Sequence, residues 1–192
     1  MSRRAELSRR GFLVGVAAGT LPVIRAGWAA VPDHGRIRPP VPAPDLPLVA
    51  QDGASTTLPR LLAGRVTALQ VMFTACSTTC PIQGAIFARV QKLIPDQLAR
   101  GIQLVSLSVD PARDTSAALS HWLRRFGARP GWVAASPRPA DVDQVRAFFG
   151  AGRTASDNHS TQIQLFDRTG YLIWRTGELP EADEVATLLG RV

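Results

Sequence analysis

Strand-like and helix-like segments alternate along this 192-residue chain from Leu46 onward. Two apolar, β-branched runs, 65–73 and 102–109, are each followed by a segment with apolar residues at helical spacing. A short strand near 132–134, a helix, two strands joined at 167–170 and a last helix complete the order, without internal repeats. This alternation predicts an α/β fold in which a central mixed β-sheet is flanked by helices on both faces.

The helix predicted after the first strand, residues 81–100, contains Pro95, which should kink or end it. The next helix, in DTSAALSHWLRRFG, should be capped by Asp114 or Thr115 and closed by Gly127. The apolar residues at helical spacing in the first of these helices are Ile82, Ile86, Phe87, Val90, Leu93 and Ile94.

The first thirty residues have the pattern of an export signal. Basic residues precede an apolar run from Gly11 to Ile24, which is too short for the roughly 20 residues that cross a hydrocarbon core. The stretch SRRGFL resembles the twin-arginine export motif, which directs folded proteins across the bacterial inner membrane. We predict a twin-arginine-type signal peptide over 1–29 and a periplasmic location, with an inner-membrane anchor facing the periplasm as the alternative.

The segment between this leader and the domain is rich in proline. Six prolines between Val31 and Val49 should keep the chain extended and out of helices and central strands. We therefore predict a linker over 30–45 and a single domain over 46–192. His34, which falls in this linker, is predicted to be a solvated loop residue.

The charge of the chain argues against a nucleic-acid partner. The formal net charge is +7, but the leader, with five arginines against one acid, accounts for +4 of it. The remaining charge is spread without basic runs or interleaved aromatic residues, so a nucleic-acid footprint is missing from the sequence. With 45% hydrophobic and 19% charged residues, we expect an ordinary globular monomer.

Both cysteines of the chain, Cys76 and Cys80, lie in the stretch TACSTTCP. They fall where the first strand ends and the first helix begins, the edge at which ligands bind in open α/β sheets. Positions four apart on a helix share a face, so both sulfurs can point to one spot and either form a disulfide or hold one metal ion. The helix N-terminus favours thiolate over thiol, and Pro81 fits its first turn.

Two alternatives use the same pair without a metal. A stabilising disulfide suits an exported protein, but the loop between Cys76 and Cys80 is so short that its closure would contribute little. A thiol-disulfide oxidoreductase would use the two cysteines as a redox pair, although such enzymes more often carry Cys-x-x-Cys. The sequence leaves open which cysteine would attack first.

Three blocks of the sequence resemble the Sco/SenC family, thioredoxin-fold proteins of respiratory copper assembly. They are VMFTACSTTCP, SVDPARDT (108–115) and DNHSTQIQLFDRTGYL (157–172), in the family's order and approximate spacing. The resemblance implies a thioredoxin-like fold and a copper site formed by Cys76, Cys80 and His159. It also implies a chaperone that delivers Cu(I) or Cu(II) to a respiratory protein such as the copper A centre of cytochrome c oxidase, with a thiol reductant as a further partner.

The chemistry of these side chains agrees with the resemblance. Thiolates are soft and select Cu(I), whereas the imidazole of His159 accepts either oxidation state. Zinc is the competing ion, because two cysteines and a histidine also describe a catalytic zinc site. Asp157 could hold the second ring nitrogen of His159, while Asp110 and Asp114 are either acids beside the cysteines or turn residues.

Some positions depart from the pattern that the family implies. Ser77 and Ser116 stand where many members have proline, and Asn158 separates Asp157 from His159. The three ligands are intact, so these departures leave open a copper enzyme other than cytochrome c oxidase as the acceptor. The third histidine of the chain, His121, is predicted to lie on a helix and to pack partly beside Trp122.

Overall fold

The computed structural model describes residues 35–150 and 160–192. In chain order the elements are β1 (Arg36–Pro42), β2 (Pro47–Ala50), β3 (Ser55–Thr57), α1 (Leu58–Leu62), β4 (Val66–Met72), α2 (Thr79–Leu93), α3 (Pro95–Ala99), β5 (Ile102–Ser108), α4 (Ser116–Arg125), β6 (Trp132–Pro137), α5 (Val142–Phe149), β7 (Gln162–Phe166), β8 (Tyr171–Glu178) and α6 (Ala182–Leu189). The strands within the described residues form one sheet in the order β1-β8-β7-β4-β5-β6-β2-β3.

The sheet is parallel at its centre and antiparallel on its flanks. β4 pairs in parallel with β5, and β5 with β6. β7 runs antiparallel to β4, β8 to β7, and β2 to β6. Every residue of β4 and β5 is buried, as expected for parallel strands that are covered on both faces. The predicted α/β fold, with a central mixed sheet flanked by helices, is confirmed.

Two apolar layers lie on opposite faces of this sheet. On one face, Ala68 and Met72 of β4 pack with apolar residues from α2, α4 and α6. On the other face, Leu69 and Val71 of the same strand pack with residues from α1 and α5. Because successive side chains of a strand alternate between faces, β4 is packed on both faces. It is held in this way up to residues 73–78, the cysteine loop, which connects β4 to α2.

α2 turns a somewhat different face to the core than its apolar spacing suggested. Phe87 is fully buried as that spacing implies, but Ile82 is 49% exposed. The buried positions of the first two turns are instead Cys80, Gln83 and Gly84. A Cβ atom at Gly84 would lie 2.6 Å from the ring of Phe126, so glycine is what allows α2 to approach this ring so closely.

The helix boundaries follow the sequence signals in detail. α2 ends before Pro95, which begins the short helix α3, as predicted. Of the two candidate caps for α4, Thr115 is the one used, because its hydroxyl accepts a hydrogen bond from the N–H of Ala118 at 3.2 Å. Gly127, with φ of +65°, follows the end of that helix. None of the helices among the described residues has the length and apolar character needed to cross a membrane.

Part of the proline-rich segment pairs with the sheet. β1 lies at the sheet edge and runs antiparallel to β8. The linker prediction for 30–45 did not anticipate this pairing. An edge strand tolerates proline because one side of its backbone needs no partner. The sequence analysis also assigned no elements to 47–62, where β2, β3 and α1 form.

Replacing Phe87 with alanine should cost about 3 to 5 kcal/mol of unfolding free energy, because a fully buried ring is lost from the layer beneath α2. The ring contacts Trp132 of β6 edge-on, with centroids 5.6 Å apart. Ile82→Ala on the same helix is the matched control and should change stability by less than about 0.5 kcal/mol. Urea denaturation measures both; equal losses for the two variants would contradict the packing described here.

Candidate metal centre

The two cysteines lie at the junction between β4 and α2. Cys76 is in the connecting loop, and Cys80 is in the first turn of the helix. Cys76 is 6% exposed and Cys80 is fully buried, and neither is in a disulfide with another described residue. The sequence analysis placed both on one helical face, whereas only Cys80 is helical. They still meet, because the loop turns back over the helix N-terminus.

The sulfur of Cys76 occupies the N-terminal end of α2. The backbone N–H of Cys80 donates a hydrogen bond to Cys76 Sγ at 3.4 Å. The hydroxyl of Thr78 lies 3.6 Å from the same sulfur. Because the first N–H groups of a helix lack intrahelical acceptors and carry partial positive charge, this position stabilises a thiolate.

The surroundings of the two thiols give them opposite acidities. Burial by itself raises the pKa of Cys76, but hydrogen bonds from Cys80 and Thr78 outweigh it and lower this pKa from 9.0 to about 6. For Cys80, burial raises the pKa well above its usual range, and the hydrogen bond and charge of Cys76 act in the same direction. The reduced pair therefore holds one proton at neutral pH, on Cys80, and Cys76 is the thiolate.

Asp114 anchors the cysteine loop, so it is an acid beside the cysteines, one of the two roles predicted for it. Its carboxylate is 2% exposed and accepts hydrogen bonds from the N–H of Thr74 at 3.1 and 3.2 Å and from the Thr74 hydroxyl at 2.6 Å. It also accepts a hydrogen bond from the hydroxyl of Ser108 at 2.6 Å. Asp114 therefore ties the first residues after β4 to the end of β5.

Asp110 is a turn residue, which was one of the two roles predicted for it. Its carbonyl accepts hydrogen bonds from the N–H groups of Arg113 and Asp114, and its own N–H donates to Ser108 Oγ at 3.0 Å. Its carboxylate lies 3.8 Å from the exposed guanidinium of Arg113. The turn at Asp110 positions Asp114, and Asp114 in turn holds the cysteine loop through Thr74.

The structure brings two of the three predicted ligands together. His159 and Asp157 lie outside the described residues, as does His34. His121 is on α4, as predicted, and its side chain is exposed. Across 35–150 and 160–192, no group of three His, Cys, Asp or Glu side chains is arranged to hold a metal ion.

Thr74 and Thr78, which shape this site, were not singled out by the sequence analysis. Both are ordinary loop residues in the sequence, and their roles depend on hydrogen bonds to Asp114 and Cys76 that only the folded loop forms. The threonine-rich composition of TACSTTCP was the one available signal, since hydroxyl donors around a cysteine favour its thiolate.

Alkylation of the reduced, metal-free protein should occur at Cys76, with a rate that rises with pH through a midpoint near 6. The thiolate is the reactive form, and the pKa of Cys76 is lowered to about 6. Thr78→Val should move this midpoint upward because it removes a hydrogen bond to the sulfur. Thr79→Val is the matched control, since the buried hydroxyl of Thr79 has no hydrogen-bond partner within 35–150 and 160–192.

Iodoacetamide labelling followed by peptide mass spectrometry measures the site and the rate. A midpoint near the ordinary value of a thiol, or first labelling at Cys80, would contradict the asymmetry of the pair.

Comparison with known proteins identifies the family. The SCO1/SenC family model matches residues 42–191. A protein of Stutzerimonas stutzeri that carries the name of a copper-binding protein is 32% identical over 175 residues, which cover 85% of this chain and 84% of the relative.

Solved structures show the same fold. A SCO1/SenC family lipoprotein from Bacillus anthracis superposes with a TM-score of 0.67 at 22% identity, covering 81% of this chain and 98% of that one. ScoI of Bradyrhizobium japonicum with copper bound gives a TM-score of 0.64 at 23% identity, covering 79% and 99%. These likenesses establish the thioredoxin-like fold that the sequence predicted. With the family match over most of its length and a relative of this identity, the chain belongs to the SCO1/SenC family.

Proposed function

We propose that this protein is a periplasmic copper chaperone that passes copper to a respiratory copper protein, such as the copper A centre of cytochrome c oxidase. The observation that carries the proposal is the pair of reduced cysteines at the N-terminus of α2, where the N–H of Cys80 donates a hydrogen bond to the sulfur of Cys76. Membership of the SCO1/SenC family supports it, as does the copper bound to the Bradyrhizobium japonicum structure.

The donor set suits copper as a cargo. Two sulfur ligands favour Cu(I), and an imidazole from His159, the proposed third ligand, is compatible with both oxidation states. Three ligands leave a coordination position through which an acceptor can take the ion. Zinc is the ion that a similar set would hold in a catalytic site, so selectivity for copper is part of the proposal.

The unequal acidity of the thiols has a consequence for loading. Cys76 is ready to bind as a thiolate near neutral pH, whereas Cys80 must lose its proton when its sulfur becomes a ligand. Loading therefore releases protons, and copper affinity should increase with pH. Unloading in the presence of an acceptor is assisted by the return of a proton to Cys80.

The proposed location follows from the leader. A twin-arginine-type signal over 1–29 would export the folded domain to the periplasm, with an inner-membrane anchor as the alternative. The related Bacillus anthracis protein is a lipoprotein, which is consistent with a family that works outside the cytoplasm. There, the thiols need a reductant to stay available for copper, because the periplasm is oxidising.

A second candidate function is thiol-disulfide exchange, and the asymmetry of the pair favours it. The Cys76 thiolate would attack a partner disulfide, forming a mixed disulfide and releasing one partner sulfur. Cys80 would then lose its proton and attack the sulfur of Cys76, which breaks the mixed disulfide and releases the second partner sulfur; the released sulfurs take up protons. The partner gains two electrons and leaves as a dithiol, while Cys76 and Cys80 become a disulfide. This reaction needs no histidine. The two roles are compatible if the protein reduces the cysteines of an acceptor before it delivers copper to them.

Titration of copper into the reduced protein tests the proposal. We expect the wild type to bind one equivalent of copper tightly and His159→Ala to bind it more than about 100-fold more weakly. Removing a residue that only supports a metal ligand typically lowers affinity roughly 10- to 100-fold, and removing the ligand itself should lower it further. Competition with a chelator measures Cu(I), and thiolate-to-Cu(II) charge-transfer absorption measures Cu(II). His121→Ala, at an exposed helical histidine, is the matched control.

Disulfide exchange of the same variants separates the two functions. His159→Ala should react with a model disulfide as fast as the wild type. Failure of the wild-type protein to bind copper tightly would contradict the chaperone and leave the dithiol redox function as the better account.

A further inference from the structure

Four exposed arginines lie side by side at the end of the sheet opposite the cysteines. Arg65 directly precedes β4, Arg100 comes two residues before β5, Arg129 comes three residues before β6, and Arg168 comes two residues after β7. The strands β7, β4, β5 and β6 are consecutive in the sheet, and only β7 runs antiparallel to the others, so all four positions fall on one edge. We call these four residues the basic row. They come from separate segments, so the sequence shows no basic run.

Backbone contacts hold these positions together. The N–H of Gly64 donates a hydrogen bond to the carbonyl of Arg168 at 2.9 Å, and the N–H of Val66 donates to the carbonyl of Gly101 at 3.0 Å. A Cβ atom at Gly101 would lie 3.2 Å from the guanidinium of Arg168. Because neighbouring strands are about 4.8 Å apart, successive arginines of the basic row start from backbone positions only one strand apart.

The ends of two helices widen the basic row into a face. α2 and α4 each end at this side of the sheet, and their last turns carry Lys92, Arg124 and Arg125, all of them exposed. The side-chain oxygen of Gln91, beside Lys92, accepts a hydrogen bond from the N–H of Arg129 at 2.9 Å. The cations therefore spread in two directions, along the sheet edge and over the helix ends. We call the seven residues together the basic face.

Few acids neutralise the basic face. Among the described residues, Asp96 and Asp167 lie beside its cations, and Asp52 lies further out, in the turn between β2 and β3. The carboxylate of Asp167 is already engaged by hydrogen bonds within its own turn. The ion pairs found within 35–150 and 160–192 join three other arginines to acids near the cysteine end of the sheet. The basic face therefore keeps a strong excess of positive charge.

Exposed apolar side chains adjoin this face. Tyr171, the first residue of β8, is 41% exposed, and Val41 of β1 is 39% exposed. Their strands are paired, with Pro42 opposite Tyr171, and the turn that leads into β8 carries Arg168. Cations beside an exposed tyrosine are typical of protein surfaces that meet the interface of a bilayer. A soluble polyanion would be bound by the cations alone, so the combination favours a lipid surface.

We propose that the basic face and Tyr171 bind the anionic phospholipid headgroups of a membrane surface. Each arginine or lysine near such a surface adds to the attraction. β4 and β5 are seven residues long, so the cysteine end of the sheet lies about 20 Å farther from the lipid and stays open to a partner. The inference does not depend on copper binding, and the periplasmic location proposed above places the protein beside such a surface.

Co-sedimentation of the full-length, metal-free protein with lipid vesicles tests the proposal. The wild type should bind vesicles that contain phosphatidylglycerol more tightly than vesicles of phosphatidylcholine, and about 0.5 M NaCl should weaken this binding. Arg65→Gln, Arg100→Gln and Arg168→Gln together should weaken it about 10- to 100-fold, because three cations near the surface are lost. The same three positions changed to lysine keep their charge and should bind like the wild type.

A matched control separates the basic face from net charge. Arg113→Gln, Arg138→Gln and Arg146→Gln together remove the same charge from the cysteine end, where each arginine is paired with an acid, and should leave vesicle binding unchanged. All variants keep the same first thirty residues, so the difference between the two triple variants reports on the folded domain. Equal losses in both, no loss in the first, or no preference of the wild type for phosphatidylglycerol would overturn the proposal.

Tyr171→Ser separates a lipid surface from an acidic protein as the partner. It should weaken vesicle binding a few-fold and leave binding to polyglutamate unchanged. Binding to polyglutamate that depends on the basic row, without binding to vesicles, would assign the face to an acidic protein and overturn the lipid surface. Copper titration is a separate measurement, so failure of vesicle binding leaves the chaperone standing, and failure of copper binding leaves this inference standing.

Discussion

One buried carboxylate, Asp114, joins the carboxyl ends of the two central parallel strands. It receives hydrogen bonds from Thr74, just after β4, and from Ser108, the last residue of β5. Thr74 lies at the start of the cysteine loop, so the first residues of this loop cannot move independently of the sheet. Because burying a carboxylate is costly unless its oxygens are satisfied, these hydrogen bonds are needed for the fold as well as for the site.

The placement of this loop determines the chemistry of the cysteines. Once the chain leaves β4 at a fixed point, Cys76 comes to the N-terminus of α2, and its sulfur accepts a hydrogen bond from Cys80. One thiol becomes acidic and the other keeps its proton, although they are separated by only three residues. The same asymmetry suits both proposed functions, metal loading and disulfide exchange, so His159, the proposed third ligand, is what distinguishes them.

Most of the fold could be predicted because its central elements have strong local signals. β4 and β5 are continuous β-branched and apolar runs, and Pro95 breaks the helix between them. The edges were harder to predict. β1 contains three prolines, so its sequence looks like that of a linker. Its pairing partner, β8, lies far along the chain, so the local sequence does not show the pairing. The exposure of Ile82 reflects which side of α2 meets Phe126, and spacing alone does not show this.

The cysteine pair could be predicted from the sequence, whereas most of the contacts that hold its loop in place could not. The pair Cys76 and Cys80 stands out because it contains all the cysteines of the chain. For Asp114 the sequence left a turn role and a place beside the cysteines both open, because its contact with Thr74 spans 40 residues of sequence.

The central claim is that Cys76, Cys80 and His159 bind the same copper ion. X-ray absorption at the copper edge of the Cu(I)-loaded protein tests this most directly. Two sulfur scatterers and one imidazole nitrogen per copper, with the nitrogen lost in His159→Ala, are the predicted result. Copper surrounded by nitrogen and oxygen alone, or an unchanged spectrum in that variant, would contradict it.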